Sequence, residues 1–151
     1  MPSKKMVNGV LLDMTPEEEA AFEAGRTPTL QQAKREMRAR IAERRIVAEM
    51  AGFLHLTVRY ASDGASLARM SVLAERARTA KAASEPFSVR VVSMDDGDTA
   101  MNANELLALE VSAGDHYVAC SANARTLRQA VGNAADVAAV LAVDINAGWP
   151  A

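Results

Sequence analysis

The chain has 151 residues, a net charge of −2 and an apolar half, which fits one domain with a short extension and a core of its own. Its only aromatic residues are Phe22, Phe53, Tyr60, Phe87, Tyr117 and Trp149, so alanine and small aliphatic side chains do most of the packing, favouring close helix–helix contact over a deep ligand pocket. The single cysteine, Cys120, excludes an intramolecular disulfide. No secretory leader is legible, because the short apolar run after Lys4 and Lys5 meets Asp13. No apolar stretch approaches the ~20 residues of a membrane span. A soluble protein made in a reducing cytoplasm is expected.

Residues 1–13 read as a disordered or partner-docked arm, with Val10-Leu11-Leu12 as a possible short strand. Thr15-Pro16-Glu17-Glu18 is a helix start: Thr15 caps, Pro16 suits the first helical position, and Glu18 completes a capping box. Gly25 should end that short helix. Thr29-Leu30-Gln31-Gln32 is a second capping box, opening a helix to about Ala51 with Leu30, Ala33, Met37, Ile41 and Ala48 on one face, and Gly52 ends it. Phe53 to Tyr60 reads as a strand, with Leu54, Leu56, Val58 and Tyr60 as its more apolar, core-facing set.

Asp63 caps a third helix, roughly Ala65 to Ala82, with Leu67, Met70, Ala74 and Ala77 inward. Phe87, Val89 and Val91 share one side of a strand that runs into Asp95-Asp96-Gly97-Asp98, where Asp-Gly signals a type I′ hairpin turn and Thr99 to Met101 returns. Asn102 with Glu105 opens a long helix through about Val131, with Gly114 as a candidate kink. A short helix near Ala135 to Leu141 precedes the terminal segment.

Charge is uneven along this order. Residues 1–25 carry two basic and five acidic side chains, residues 26–94 carry 13 and 6, and residues 95–151 carry two and eight. Such asymmetry can steer association between parts of one chain or between copies.

The candidate chemistry is sparse. His116 and Cys120 lie four apart on one helix face, two ligands where a zinc site needs three or four. Asp95, Asp96 and Asp98 sit in a loop too short for an EF-hand and read as a solvated turn. Ser62, Ser66, Ser71 and Ser84 lack a nucleophile elbow, the two histidines have no fixed orienting carboxylate, and no Gly-rich phosphate loop is present. No catalytic, metal or cofactor site is assigned, and the chain is not expected to be an enzyme. Lys34, Arg35, Arg38, Arg40, Arg44 and Arg45 form a basic helical run able to follow a phosphate backbone, but Glu36 and Glu43 interrupt it and no aromatic residue interleaves. Gly148-Trp149-Pro150 is either a docking tail with Trp149 as anchor or a segment that folds back over the chain's own core, the second being favoured.

Several features recur together: the basic helix from Leu30 to Ala51, Gly52-Phe53 leading an extended segment to Ser62-Asp63, and an alanine-rich helix. Glu85-Pro86-Phe87 then leads a strand, and a long helix follows the acidic turn before Val143-Asp144-Ile145-Asn146-Ala147-Gly148-Trp149-Pro150 closes the chain. This order, and the closing run above all, resembles an uncharacterised domain family of phage and prophage tail-fibre-associated proteins. Residues 14–24 also look like the stretch that precedes this domain in tail-fibre assembly proteins. Family members commonly carry an Asn-Gly turn where this chain has Leu56-Thr57, which implies a single longer strand or a looser loop here.

The combined expectation is an α+β fold: an arm and short helix over residues 1–28, then one domain over 29–151 with three or four helices on a small antiparallel sheet of two hairpin-like segments, 53–60 and 87–101. The resemblance implies a bacteriophage tail-associated protein acting by protein–protein contact, in the virion tail or in the host cytoplasm during assembly. It would be a tail, baseplate or fibre component or a fibre-assembly factor, and a homo-oligomer or part of a symmetric assembly. Leu11, Leu12, Trp149 and Pro150 are the candidate contact residues, and no membrane partner is expected. The alternative is a nucleic-acid-binding or host-directed regulator acting through Lys34, Arg38 and Arg45.

Overall fold

The computed structural model describes residues 3–7, 9–26 and 28–150. It begins with an antiparallel hairpin, β1 (Lys4–Val7) and β2 (Val10–Asp13), in which Val7 pairs with Val10 and Lys4 with Asp13. The arm expected to be disordered or partner-docked is therefore a hairpin, and the possible short strand at Val10-Leu11-Leu12 is its second strand. Its signal was the Asn-Gly dipeptide at positions 8 and 9, the preferred two-residue hairpin turn. Asn8 lies outside the described residues, and Gly9 has φ +82°. Helix α1 (Pro16–Arg26) follows, with both halves of its capping box formed between Thr15 and Glu18, and it runs one residue past Gly25. The hairpin is held to α1 by the Lys5–Glu18 ion pair and by the Ser3 N–H on the Glu19 carboxylate.

Thr29 and Gln32 cap helix α2 (Leu30–Met50) reciprocally, and Ala33, Met37, Ile41 and Ala48 are buried along one face. Gly52, at φ +85°, turns the chain into β3 (Phe53–His55) and β4 (Val58–Tyr60). These pair as an antiparallel hairpin, so the expected continuous 53–60 strand is corrected: Leu56-Thr57 is itself the two-residue turn. The turn reverses the side-chain parity. Phe53 and Tyr60 oppose each other on the core face at 1% and 3% exposure, whereas Leu54 points outward and Leu56 stands 88% exposed at the tip.

Asp63 caps α3 (Gly64–Ala82) by accepting the Ala65 and Ser66 N–H groups, and Met70, Ala74 and Ala77 face inward. The next hairpin joins β5 (Ser88–Val92) to β6 (Asp98–Asn102). Its loop differs from the expected type I′ turn. Ser93 N–H bonds to the Gly97 carbonyl at 2.8 Å around Met94-Asp95-Asp96, and Asp96, not Gly97, takes the positive φ. Asn102 and Glu105 then form a full capping box at the start of α4 (Ala103–Asn133), which runs unbroken through Gly114. A short α5 (Val137–Leu141) ends the regular structure.

The fold is α+β: among the described residues, five helices and three two-stranded hairpins. Helix α4 is the axis, with α2 and α3 both packed along it. It serves two cores. Its first half joins Phe53, Tyr60, Met70, Ala77 and Met101 around Leu106 and Leu109. Its second half packs Ala124 and Val131 against Ala33, Met37, Ile41 and Val140. The β3–β4 and β5–β6 hairpins remain separate ladders, bridged where the Met94 N–H reaches the Arg59 carbonyl at 2.9 Å. Buried surface on the helices does what a continuous sheet would otherwise have to do, because an isolated hairpin is marginal in water.

Candidate interaction site

His116 and Cys120 occupy the junction between the two cores. His116 Nε2 donates to the Ala48 carbonyl at 3.1 Å, satisfying an acceptor in the last turn of α2, and the His116 ring lies beside Phe53. Burial, with Glu49 nearby as the next cause, pushes the Cys120 thiol above its ordinary value, so it stays protonated. No group of three metal-ligating side chains exists among the described residues. His55 lies elsewhere, with Nδ1 2.8 Å from the Ser112 hydroxyl.

The basic run on α2 divides between inward contacts and solvent. Lys34 Nζ donates to the Gly132 carbonyl at 2.8 Å, and the Arg38 guanidinium lies against the same glycine, so both meet the negative end of the α4 dipole. Arg45 Nε faces Glu49 Oε1 at 3.4 Å, and Arg44 stacks 5.7 Å from the Trp149 ring centroid. Arg38 remains exposed, but Lys34 and Arg45 are partly covered. The three residues do not form one free cationic face.

Trp149 folds back onto the second core. Its indole N–H donates to the Ile145 carbonyl at 2.8 Å, and Asn123 holds the Ala147 carbonyl at 2.9 Å just before Gly148, whose φ is +78°. Trp149 and Pro150 are both half-buried. Leu11 and Leu12, by contrast, lie on β2 with 60% and 45% of their surface exposed, beside exposed Met6, Val7 and Val10.

A groove of about 480 Å³ opens between α3 and the β5–β6 hairpin. Arg69, Met70 and Leu73 line it from α3 and Leu106 from α4, together with four consecutive residues of the β5–β6 hairpin, Arg90 to Ser93. Its volume lies within the ~300–1,000 Å³ of ordinary binding clefts. Arg90 Nε holds Asp98 Oδ2 across the ladder at 2.6 Å. At the end of the hairpin the Ser93 hydroxyl donates to Asp95 and is the first cause that draws that carboxyl below its usual range.

Neither the groove nor the Leu56 tip was named from sequence. A strand's free edge carries no residue signature, and Leu-Thr is not turn chemistry.

One long helix carrying two cores and two short hairpins defines the class: a mainly helical α+β domain preceded by a hairpin–helix extension. Residues 32–147 match the model of the family described as Domain of unknown function (DUF4376), and the chain belongs to that family. No curated protein and no solved structure matches it. No helix among the described residues is long and apolar enough to cross a membrane.

Proposed function

We propose that the chain is a bacteriophage tail-associated protein that works by binding other proteins, as a tail, baseplate or fibre component or as a fibre-assembly factor. The tail context rests on the resemblance of the closing run, residues 143–150, and of the Met-Thr-Pro-Glu-Glu segment. The observation that supports a contact role is the band of exposed apolar side chains on β1–β2, Met6, Val7, Val10, Leu11 and Leu12. These side chains lie in one short two-stranded unit, where water contact is costly and a partner surface would remove it.

Quantitative mass spectrometry of purified phage particles tests this reading. Presence at a fixed ratio to fibre protein makes the chain a tail component. Absence from particles, with co-purification on fibre during assembly, makes it an assembly factor. Absence from both ends the proposal. The nucleic-acid alternative is the weaker reading because Lys34, Arg44 and Arg45 make contacts within the fold. Unchanged nucleic-acid retention after Arg38→Glu with Arg45→Glu would dispose of it.

A further inference from the structure

We propose that the outward face of α4 seats a second copy of this chain, with the two α4 helices packed antiparallel about a two-fold axis as a weak homodimer. This deepens the contact reading above and rests on it for the premise that the chain acts through protein surfaces.

The face follows from the helix period. Leu106, Leu109, His116, Cys120, Ala124 and Val131 are the buried residues of α4 and share one side of it. At about 100° per residue, Val111, Asp115, Val118, Ala122, Arg125 and Gln129 fall on the opposite side, and all six are exposed. Val111 and Val118 leave 61% and 64% of their surface in water. The buried side holds α4 in both cores, which a second copy on the outward side leaves untouched.

Gly114, between the two valines, is the second observation. It lies inside a 31-residue helix, where glycine is the poorest helix former after proline. A Cβ at this position would meet nothing within 4 Å. Its backbone is helical, so neither packing nor conformation within the chain calls for glycine. A second helix brought close to α4 from outside does use the missing side chain.

Charge selects the occupant. Asp115 and Arg125 are the two ionised side chains among the six outward residues, and neither has an ion-pair partner among the described residues. They stand about 15 Å apart along the axis, too far to pair with each other. An antiparallel α4 reverses their order. In the register that sets Val118 against the partner's Ala122, Asp115 lies opposite the partner's Arg125, and the two-fold axis repeats both contacts. A shift of one turn puts Asp115 opposite the partner's Ala122 or Gln129 instead, and a parallel pair in register sets like charges together. Complementarity thus fixes both direction and register. One helix stripe per copy is smaller than the ~800 Å² per partner of a standard interface, so the dissociation constant should lie in the range of about 10 µM to 1 mM.

Sedimentation velocity on the full chain up to about 1 mM is the test, with Asp115→Arg, Arg125→Asp and Gly114→Leu as variants. All three positions are exposed, so the fold should survive each change. Gly114→Leu should raise the thermal midpoint, because leucine is the better helix former and its side chain enters open space. The unaltered chain should dimerise and stop there, since a two-fold contact closes, and each variant should weaken the dimer about tenfold or more. Asp115→Arg leaves only cations on the stripe and Arg125→Asp only anions, so each alone should associate poorly while an equimolar mixture pairs 1:1. A chain carrying both reversals should dimerise like the unaltered one. A chain that is monomeric throughout overturns the inference, as does a mixture that fails to pair. A dimer that the variants leave intact overturns it too, and places the contact on another surface such as the β1–β2 hairpin. A dimer absent from phage particles and fibre would end the tail reading alone, and a monomer present in particles would end this inference alone.

Discussion

Leu56 sits at φ +56° with its side chain 88% exposed, at the first position of the two-residue turn between β3 and β4. A left-handed backbone costs an L-residue roughly 1–2 kcal/mol, and glycine avoids that cost. Thr57 is not at positive φ, so the sign pattern is that of a type II′ turn, which favours glycine first. Leu56→Gly should recover most of the strain and lose little burial. The greater freedom of glycine in the unfolded chain offsets about 0.5–1 kcal/mol of the gain. The net stabilisation should be about 0.5–1 kcal/mol, or roughly 1–4 °C in Tm for a chain of this size.

Leu56→Val supplies the opposing arm. A β-branched residue is a worse occupant of positive φ and should destabilise by about 1 kcal/mol. Urea unfolding followed by circular dichroism would compare the three chains, and a Gly–Val gap of roughly 2 kcal/mol is expected. Equal stability of the two variants would refute the argument from strain. A more stable Leu56→Gly chain that also loses partner binding would give the strained, exposed leucine a role in contact.

Trp149→Ala should cost about 2 kcal/mol, because the ring packs on the second core under Arg44 and its N–H bonds the Ile145 carbonyl; an unchanged urea midpoint would contradict that. Gly52→Ala should destabilise by about 2–4 kcal/mol, since a Cβ at φ +85° would collide with Met94 Sδ and lie 2.9 Å from the Tyr60 carbonyl oxygen, and thermal melts would read it. Cys120 should resist thiol reagents in the native chain and react fully in denaturant. Its raised pKa means the folded state holds the proton longer, so stability should fall as pH climbs past the ordinary value of 9.0, and Cys120→Ala should flatten that alkaline slope. Asp63 has the opposite sign. The Ser66 hydroxyl, then the Ser66 and Ala65 N–H groups, hold its carboxyl below 3.8, so its capping contribution is present above that value and lost on further acidification. An acid-unfolding curve that Asp63→Asn leaves unmoved would count against this.

The helices were legible because their signals are local. Thr15 with Glu18, Thr29 with Gln32, Asp63, and Asn102 with Glu105 each satisfy N–H groups within three residues, and all these caps form. The inward faces of α2 and α3 follow equally from three- and four-residue spacing, because a helix of given phase has one apolar stripe whatever it packs against. The pairing of Val7 with Val10 had a local signal too, the Asn-Gly dipeptide that lies between them in the sequence.

Tertiary structure alone decided the rest. Unbroken alternation from Phe53 to Tyr60 gave no sign of a reversal at Leu56-Thr57, and placing both Phe53 and Tyr60 in the core is what holds that turn closed. Trp149 could dock outward or inward on sequence grounds, and Asn123, Arg44 and the Ile145 carbonyl bring it inward. The basic character of α2 was plain, but its contacts with Gly132, Glu49 and Trp149 depend on residues four to 105 positions away. The free edge of β5 exists because the β3–β4 hairpin stops at a single backbone bond to Met94 and α3 stands off beside it. Caps and stripes are written in neighbouring residues; an open strand edge is a property of what fails to pack there, which no short stretch of sequence encodes.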